Sequence, residues 1–294
     1  MRPYKRAKRW IVFQLLRAII FVVGRLPERI ARAVGGLIGV TAHTFAGKDR
    51  RRAKAQMMRA LNRSNTRGVF AHLGQMVVEL AILARYPDKV DDWIELPEAA
   101  KNTLAGALSA GKGAIAISAH LGNWELLPRR LSRAGFPIFT AARQNANVYL
   151  DGWIVDQRAK QGITTVHRGG GTTAAREILG ALKKGAIFAL LIDQDTKVES
   201  VLVRFFGRRA STPVGAAELA LRSKLPVLAG FIRRTKDNRH VIHIERIQVL
   251  PGDDPTSLTA RITGVIEREI KKSPEQWVWF HRRWRRSPDA DESS

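Results

Sequence analysis

Apolar positions change rhythm about a third of the way along the chain. As far as about Tyr86 they recur at helical spacing, in blocks that read as successive helices. Pro27 separates the first block from the second, and Gly35, Gly36 and Gly39 give the second a face narrow enough for close packing. A basic turn and helix over 48–59 and a mostly apolar helix over 68–84 follow. A connection over 87–97 then leads to a short helix over 98–110. Beyond it, short apolar runs alternate with helical stretches of about ten residues. The pattern predicts strands over 114–119, 137–142, 163–167, 186–192, 227–233 and 241–247. Helices are predicted over 124–134, 150–161, 173–184, 215–223 and 258–271. Such alternation predicts an α/β fold with a mostly parallel central sheet flanked by helices. The organisation expected is a basic helical region over 1–86, an α/β core over 87–286 and a disordered tail over 287–294.

Charge changes this picture more than composition does. The chain has 294 residues and a net charge of +24, which calls for a polyanionic partner: nucleic acid, an anionic membrane, or an acidic protein or substrate. The absence of cysteine excludes disulfides, thiolate metal sites and a cysteine nucleophile. The seven histidines are scattered without ligand spacing, so no metal is expected. The first 60 residues hold fifteen Lys and Arg against two acids, interleaved with Trp10, Phe13, Phe21 and Phe45. The apolar run beginning at Trp10 is interrupted by Gln14 and Arg17, and is shorter than the roughly 20 residues that span a bilayer. It reads as a helix lying in a membrane interface with arginines reaching toward headgroups. An ordinary core helix with a basic solvent face fits the same pattern.

The candidate chemistry centres on Gly113-Ala-Ile-Ala-Ile-Ser-Ala-His120-Leu-Gly-Asn-Trp-Glu125. Five residues turn about 140° along a helix, so His120 and Glu125 share no helical face. They meet if His120 ends a strand and Glu125 opens the next helix, with Gly122 in the turn and Asn123 as N-cap. That places a base and its orienting carboxylate at the carboxyl edge of a sheet, where open α/β folds bind ligands. Ser118 lacks the setting of a nucleophile elbow and reads as a packed strand residue. With no nucleophile in view, the economical chemistry is direct attack of a substrate hydroxyl on an activated acyl group.

Other candidates are individually weaker. Asp193 and Asp195 end the strand over 186–192 and either position a polar substrate, bind an arginine or cap a turn. Arg143, Arg158 and Arg168 fall near strand ends or on the helix between them and suit phosphate or carboxylate, though such an arginine is more often a solvated or structural charge. The glycine triplet 169–171 reads as a phosphate cradle or a flexible turn. Trp277 to Arg286 interleaves aromatics with arginines. It reads as a single-strand nucleic-acid surface, a membrane-interface segment, or a structural strand whose arginines pair with core acids.

These blocks together resemble the bacterial lipid A biosynthesis (lauroyl/myristoyl) acyltransferase family. The resemblance lies in His120-Leu-Gly-Asn-Trp-Glu125, Ala142 to Asp151, the helix after Arg168, and Asp193-Gln-Asp195. Phe205-Phe-Gly207 with Thr212-Pro-Val-Gly215, and Pro274 to Arg283, continue it in the same order. It implies a membrane-associated O-acyltransferase of the bacterial inner membrane, peripheral or monotopic on the cytoplasmic face. Acyl carrier protein or coenzyme A would carry the acyl donor, a lipid A precursor would accept it, and no cofactor would be needed. It implies His120 as general base and Glu125 as its partner. Asn123, Trp124, Arg143, Arg158, Arg168, Asp193 and Asp195 make up the expected substrate-binding set. A phosphatidylinositol mannoside or a lysophospholipid is the alternative acceptor. A basic nucleic-acid-binding protein is the non-enzyme alternative.

Overall fold

The computed structural model describes residues 3–167 and 169–287. Four helices come first: α1 (Pro3–Val23), α2 (Glu28–Phe45), α3 (Gly47–Leu61) and α4 (Thr66–Arg85). Pro27 stands at the N-cap of α2, where its fixed φ is tolerated. Helices α2 and α4 touch backbone to backbone. A Cβ on Gly74 would lie 2.0 Å from the Gly35 carbonyl oxygen, and one on Gly39 would lie 2.1 Å from that of Phe70. The glycine spacing in the second helix is the sequence trace of this contact. Helix α4 alone among the described residues is long and apolar enough to cross a membrane, yet half of that window is buried in the protein. On α1 and α2, by contrast, Trp10, Ile11, Leu15, Phe21, Leu37 and Phe45 are exposed.

The connection expected over 87–97 contains α5 (Lys89–Trp93) and β1 (Ile94–Glu95), followed by α6 (Glu98–Leu108). Strand β2 (Ala114–Ser118) leads to α7 (Leu126–Arg133), and β3 (Ile138–Ala142) to α8 (Val148–Ala159). Then come β4 (Ile163–His167), α9 (Gly171–Lys183) and β5 (Ile187–Leu191). The stretch to Thr212, not predicted as strand, forms a hairpin of β6 (Ser200–Phe205) and β7 (Arg208–Pro213). Its two-residue turn has Phe206 and Gly207 both at positive φ, the geometry that suits strand twist. Helix α10 (Gly215–Ser223), strands β8 (Val227–Arg234) and β9 (His240–Ile247) and helix α11 (Pro255–Lys272) complete the fold.

The main sheet has seven strands in the order β1-β9-β8-β2-β5-β3-β4, parallel except for the β8–β9 pair. The α/β expectation of a mostly parallel sheet flanked by helices is what the chain builds. Period-2 alternation divides its side chains between two cores. Ile115, Ile117, Phe188, Val227 and Phe231 pack on the side of α10, α11 and the hairpin. Ala114, Ile187, Leu228, Ile232 and Ile244 face the side of α4, α6 and α7. Trp277 to Arg286 is not a strand; an isolated β-bridge pairs Trp277 with Leu121. Ser287, expected to begin a disordered tail, is buried, and its N–H donates to the Trp284 carbonyl; 288–294 lie outside the described residues.

Candidate active site

Strands β2 and β5 are parallel neighbours with Ser118 opposite Leu191. Two residues further along each chain, His120 and Asp193 therefore leave the sheet side by side. The His120 Nδ1–H donates to Asp193 Oδ1 at 2.8 Å, and the His120 backbone N–H donates to Oδ2 at 3.0 Å. The Trp277 indole N–H adds a third bond to Oδ2, at 2.7 Å. Burial pushes the Asp193 carboxyl up, but the charge of a protonated His120 and the bonds from His120 and Trp277 outweigh that and bring it down to about 2. Trp124 packs its ring edgewise on His120, with centroids 4.9 Å apart. Nδ1 is thus committed as a donor, which leaves Nε2 as the ring's basic atom.

Glu125 does not take the place expected for it. It sits at the N-cap of α7, as the turn geometry required, but its carboxylate turns to Arg158 of α8. The pair is bidentate, with Nε to Oε2 at 3.1 Å and a terminal nitrogen to Oε1 at 2.5 Å. The carboxylate that orients His120 is Asp193, which sequence reasoning had placed among the substrate-binding residues. Gly122 does make the turn, at φ +63°. A Cβ there would lie 1.9 Å from the Ile232 carbonyl oxygen, so the loop lies flat on β8.

Asn123 does not cap α7, and it is not among the residues that line the cavity in front of His120. It is fully buried, and its amide donates to Glu79 Oε2 at 2.9 Å. The Glu79 carboxylate, buried in α4, also receives Arg32 Nε at 3.2 Å, His240 Nε2 at 3.1 Å and both terminal nitrogens of Arg234. Burial pushes this carboxyl up, and His240 and Arg234 hold it well below the usual range. The loop carrying His120 is thereby fastened from behind to α2, α4, β8 and β9.

In front of His120 lies a cavity of about 940 Å³. His120, Trp124, Glu125, Arg143 and Arg158 are among its lining residues, as are Asp195, His281 and Arg285. Its interior is apolar and runs under α7, between Leu104, Leu127 and Leu131 and the sheet. Room exists there because the sheet presents small side chains: Ala116 pairs in register with Ala189, and Ala189 with Thr140. Ala116 and Ala189 are only half-buried although they sit in central strands. The paired Ile138 and Ile187 stand at the opposite end of their strands. From Leu191 to Ile187 the strand covers about 13 Å, at roughly 3.3 Å per residue.

The remaining expected residues divide. Arg143 is exposed at the cavity and Arg158 is half-buried there. Asp195 is buried and binds Arg285 and Arg286, so the arginine-pairing reading of that acid holds. Arg168 lies outside the described residues, while its neighbour Gly169 lines the cavity. Trp277 and His281 were not singled out individually; their signal was the aromatic-basic segment that contains them. Among the described residues, His243, Glu245 and Glu269 bring potential metal-ligand atoms within 4.8 Å of one another, but Arg268 and Lys272 already occupy those carboxylates.

A carboxylate-held imidazole stands at the carboxyl edge of a parallel sheet and opens on an apolar recess. The chain belongs to the bacterial lipid A biosynthesis acyltransferase family, whose model matches residues 2–286. It is therefore an enzyme of acyl transfer. Over 230 residues it is 26% identical to the lipid A biosynthesis palmitoleoyltransferase of Escherichia coli (strain K12), covering 76% of this chain and 72% of that protein. The lipid A biosynthesis lauroyltransferase of the same organism is 24% identical over 296 residues, 96% of this chain and 90% of that one. A phosphatidylinositol mannoside acyltransferase of Mycobacterium tuberculosis (strain ATCC 25618 / H37Rv) is 27% identical over 190 residues, 62% of this chain and 57% of that one.

Proposed function

We propose that this enzyme moves a fatty acyl chain from a thioester donor, acyl carrier protein or coenzyme A, to a hydroxyl of a lipid A precursor. The observation that carries this reading is the His120–Asp193 pair at an apolar cavity of about 940 Å³. The acyl chain lies in the trough over Ala116 and Ala189 with its thioester at His120. Nε2 takes the proton of the acceptor hydroxyl as its oxygen attacks the thioester carbon, and Asp193 stabilises the imidazolium that forms. Collapse of the tetrahedral intermediate expels the thiolate, which leaves with that proton. No covalent acyl-enzyme is needed. Glu125 and Arg158, locked together beside His120, position the acceptor, and Arg143 meets its phosphate.

The basic excess suits an acidic carrier protein and a phosphorylated acceptor, and the exposed apolar faces of α1 and α2 suit a membrane surface. A mannosylated phospholipid remains the second acceptor class, because a relative named for that activity matches part of the chain. The test is to incubate the protein in detergent with acyl-acyl carrier protein or acyl-coenzyme A and a tetra-acylated lipid A precursor, reading products by mass spectrometry. A gain of one acyl group, absent in His120→Ala, is expected. Transfer only to the mannoside moves the acceptor, and transfer that survives His120→Ala removes His120 as the base.

A further inference from the structure

The segment from Trp277 to Arg286 has no part in the reaction as described so far, yet it forms one wall of the cavity. It is held firmly. The buried Gln56 side chain donates to the carbonyls of Trp279 and His281, and accepts the Arg283 backbone N–H at 3.0 Å. Arg52 donates to the Phe280 carbonyl at 3.2 Å, and the Trp279 indole to that of Pro274 at 2.6 Å. At its start, Trp277 donates to the same Asp193 oxygen that receives the His120 backbone N–H. The segment is thus fixed relative to the catalytic base through a shared carboxylate.

The His281 ring stands apart from this network. It lines the cavity with His120, and its Nδ1 is enclosed with no hydrogen-bond partner. Nδ1 stays unpaired in either tautomer, and folded proteins tolerate an enclosed lone pair better than an enclosed, orphaned N–H. The proton therefore belongs on Nε2, the nitrogen left for the cavity. Burial lowers the His281 pKa below the ordinary histidine value, and the charges of His120 and Arg283 add to that while Asp193 and Asp195 oppose it. The ring is a neutral N–H donor beside the base.

Acyl transfer needs such a donor. When the hydroxyl oxygen bonds to the thioester carbon, the carbonyl electron pair moves onto oxygen, and the resulting oxyanion must be met by fixed hydrogen-bond donors. Three backbone N–H groups at the base are already spent. That of His120 goes to Asp193, that of Leu121 to the Ala119 carbonyl at 2.7 Å, and that of Gly122 to the Gln276 carbonyl at 2.9 Å. Arg158 is bound to Glu125 and Arg285 to Asp195.

We propose that His281 is a second catalytic residue, donating its Nε2–H to the thioester carbonyl oxygen as that atom becomes an oxyanion, while His120 takes the hydroxyl proton. His281 forms no covalent bond and keeps its proton throughout. The proposal rests on the acyl-transfer reading and adds an electrophilic partner to it.

The test measures thiol release from lauroyl-acyl carrier protein and from lauroyl-coenzyme A, with and without acceptor lipid, for the wild type and the variants His281→Phe and His281→Gln. Phenylalanine keeps the ring and removes the donor, while glutamine restores an N–H at similar reach. Loss of one oxyanion donor predicts a fall in kcat of about 10²-fold for the phenylalanine variant with KM nearly unchanged. Glutamine recovers at least about a tenfold part of that loss. Unfolding midpoints are recorded beside each rate, and His281→Asn, which shortens the reach, replaces the phenylalanine variant should that one misfold. Wild-type turnover with an unaffected kcat in His281→Phe overturns this proposal alone, as does a loss confined to KM or a glutamine variant no better than phenylalanine. A wild type that releases no thiol from either donor overturns the acyl-transfer reading and this one with it.

Discussion

Replacing Asp193 by asparagine tests the centre of the mechanism with almost no change of shape. The carboxylate accepts three bonds, two at Oδ2 from the His120 backbone and Trp277, and one at Oδ1 from His120 Nδ1. Asparagine has one carbonyl oxygen. It stays with the two donors that cannot change, the backbone and indole N–H groups, so the amide NH₂ faces His120. Nδ1 must then accept, which moves the ring proton to Nε2 and removes the base. The same change in a serine-protease triad costs about 10⁴-fold. A fall of about 10³–10⁴-fold in kcat is expected here, some 4–5 kcal/mol of barrier. Stability should suffer less, because all three contacts persist. Bringing the carboxyl from its ordinary 3.8 to about 2 corresponds to about 2 kcal/mol, which bounds what the lost charge can cost. The assay pairs single-turnover acyl transfer with urea unfolding, and nitrogen NMR of the histidine reports the tautomer. Activity within tenfold of wild type in a folded Asp193→Asn protein would refute the orienting role, and so would an unchanged tautomer.

Three further outcomes are expected. The folded-state pKa of Asp193 lies below the unfolded one, so its stabilisation is complete above about pH 4 and is lost as pH falls through about 2; urea midpoints of wild type and Asp193→Asn should converge across that window, and a constant gap would contradict the shift. Ala189→Phe fills the trough beside Ala116 and should move product mass toward shorter acyl chains. If four methylenes are excluded at about 0.8 kcal/mol each, kcat/KM for the long donor drops about 10²-fold, and unchanged chain preference would place the acyl group elsewhere. Gly74→Val forces a side chain into the Gly35 carbonyl and should destabilise the fold by about 3 kcal/mol or more, read as a lowered thermal midpoint.

Local patterns in the sequence carried the strands and helices well, because each depends on residues a few positions apart. Gly122 in the turn and Glu125 at the head of α7 were legible for the same reason. The partner of His120 was not. Asp193 lies 73 positions away, and only the adjacency of β2 and β5 brings the two together. One clue was available: both residues follow apolar strands, and strand ends in a parallel sheet converge on one edge. The hairpin at 200–213 was hidden because its apolar residues resemble a loop of mixed character until the Phe206–Gly207 turn is seen. Asn123 was misread since nothing near it in the chain reveals Glu79, buried in a helix 44 positions earlier. The arginines of the closing segment do pair with a core acid, Asp195, although no strand carries them.

The Glu79 carboxylate has a consequence for modularity. It belongs to the first 86 residues, but apart from Arg32 its guests come from the catalytic loop and the far strands: Asn123, Arg234 and His240. Trimming away the leading helices would strand an arginine and a histidine in the interior and leave the back of the loop unsupported. This mortise joins what carries the exposed apolar faces to what performs the chemistry. Swapping these helices for another attachment device would then mean rebuilding the socket as well, so the two halves are expected to change together or not at all.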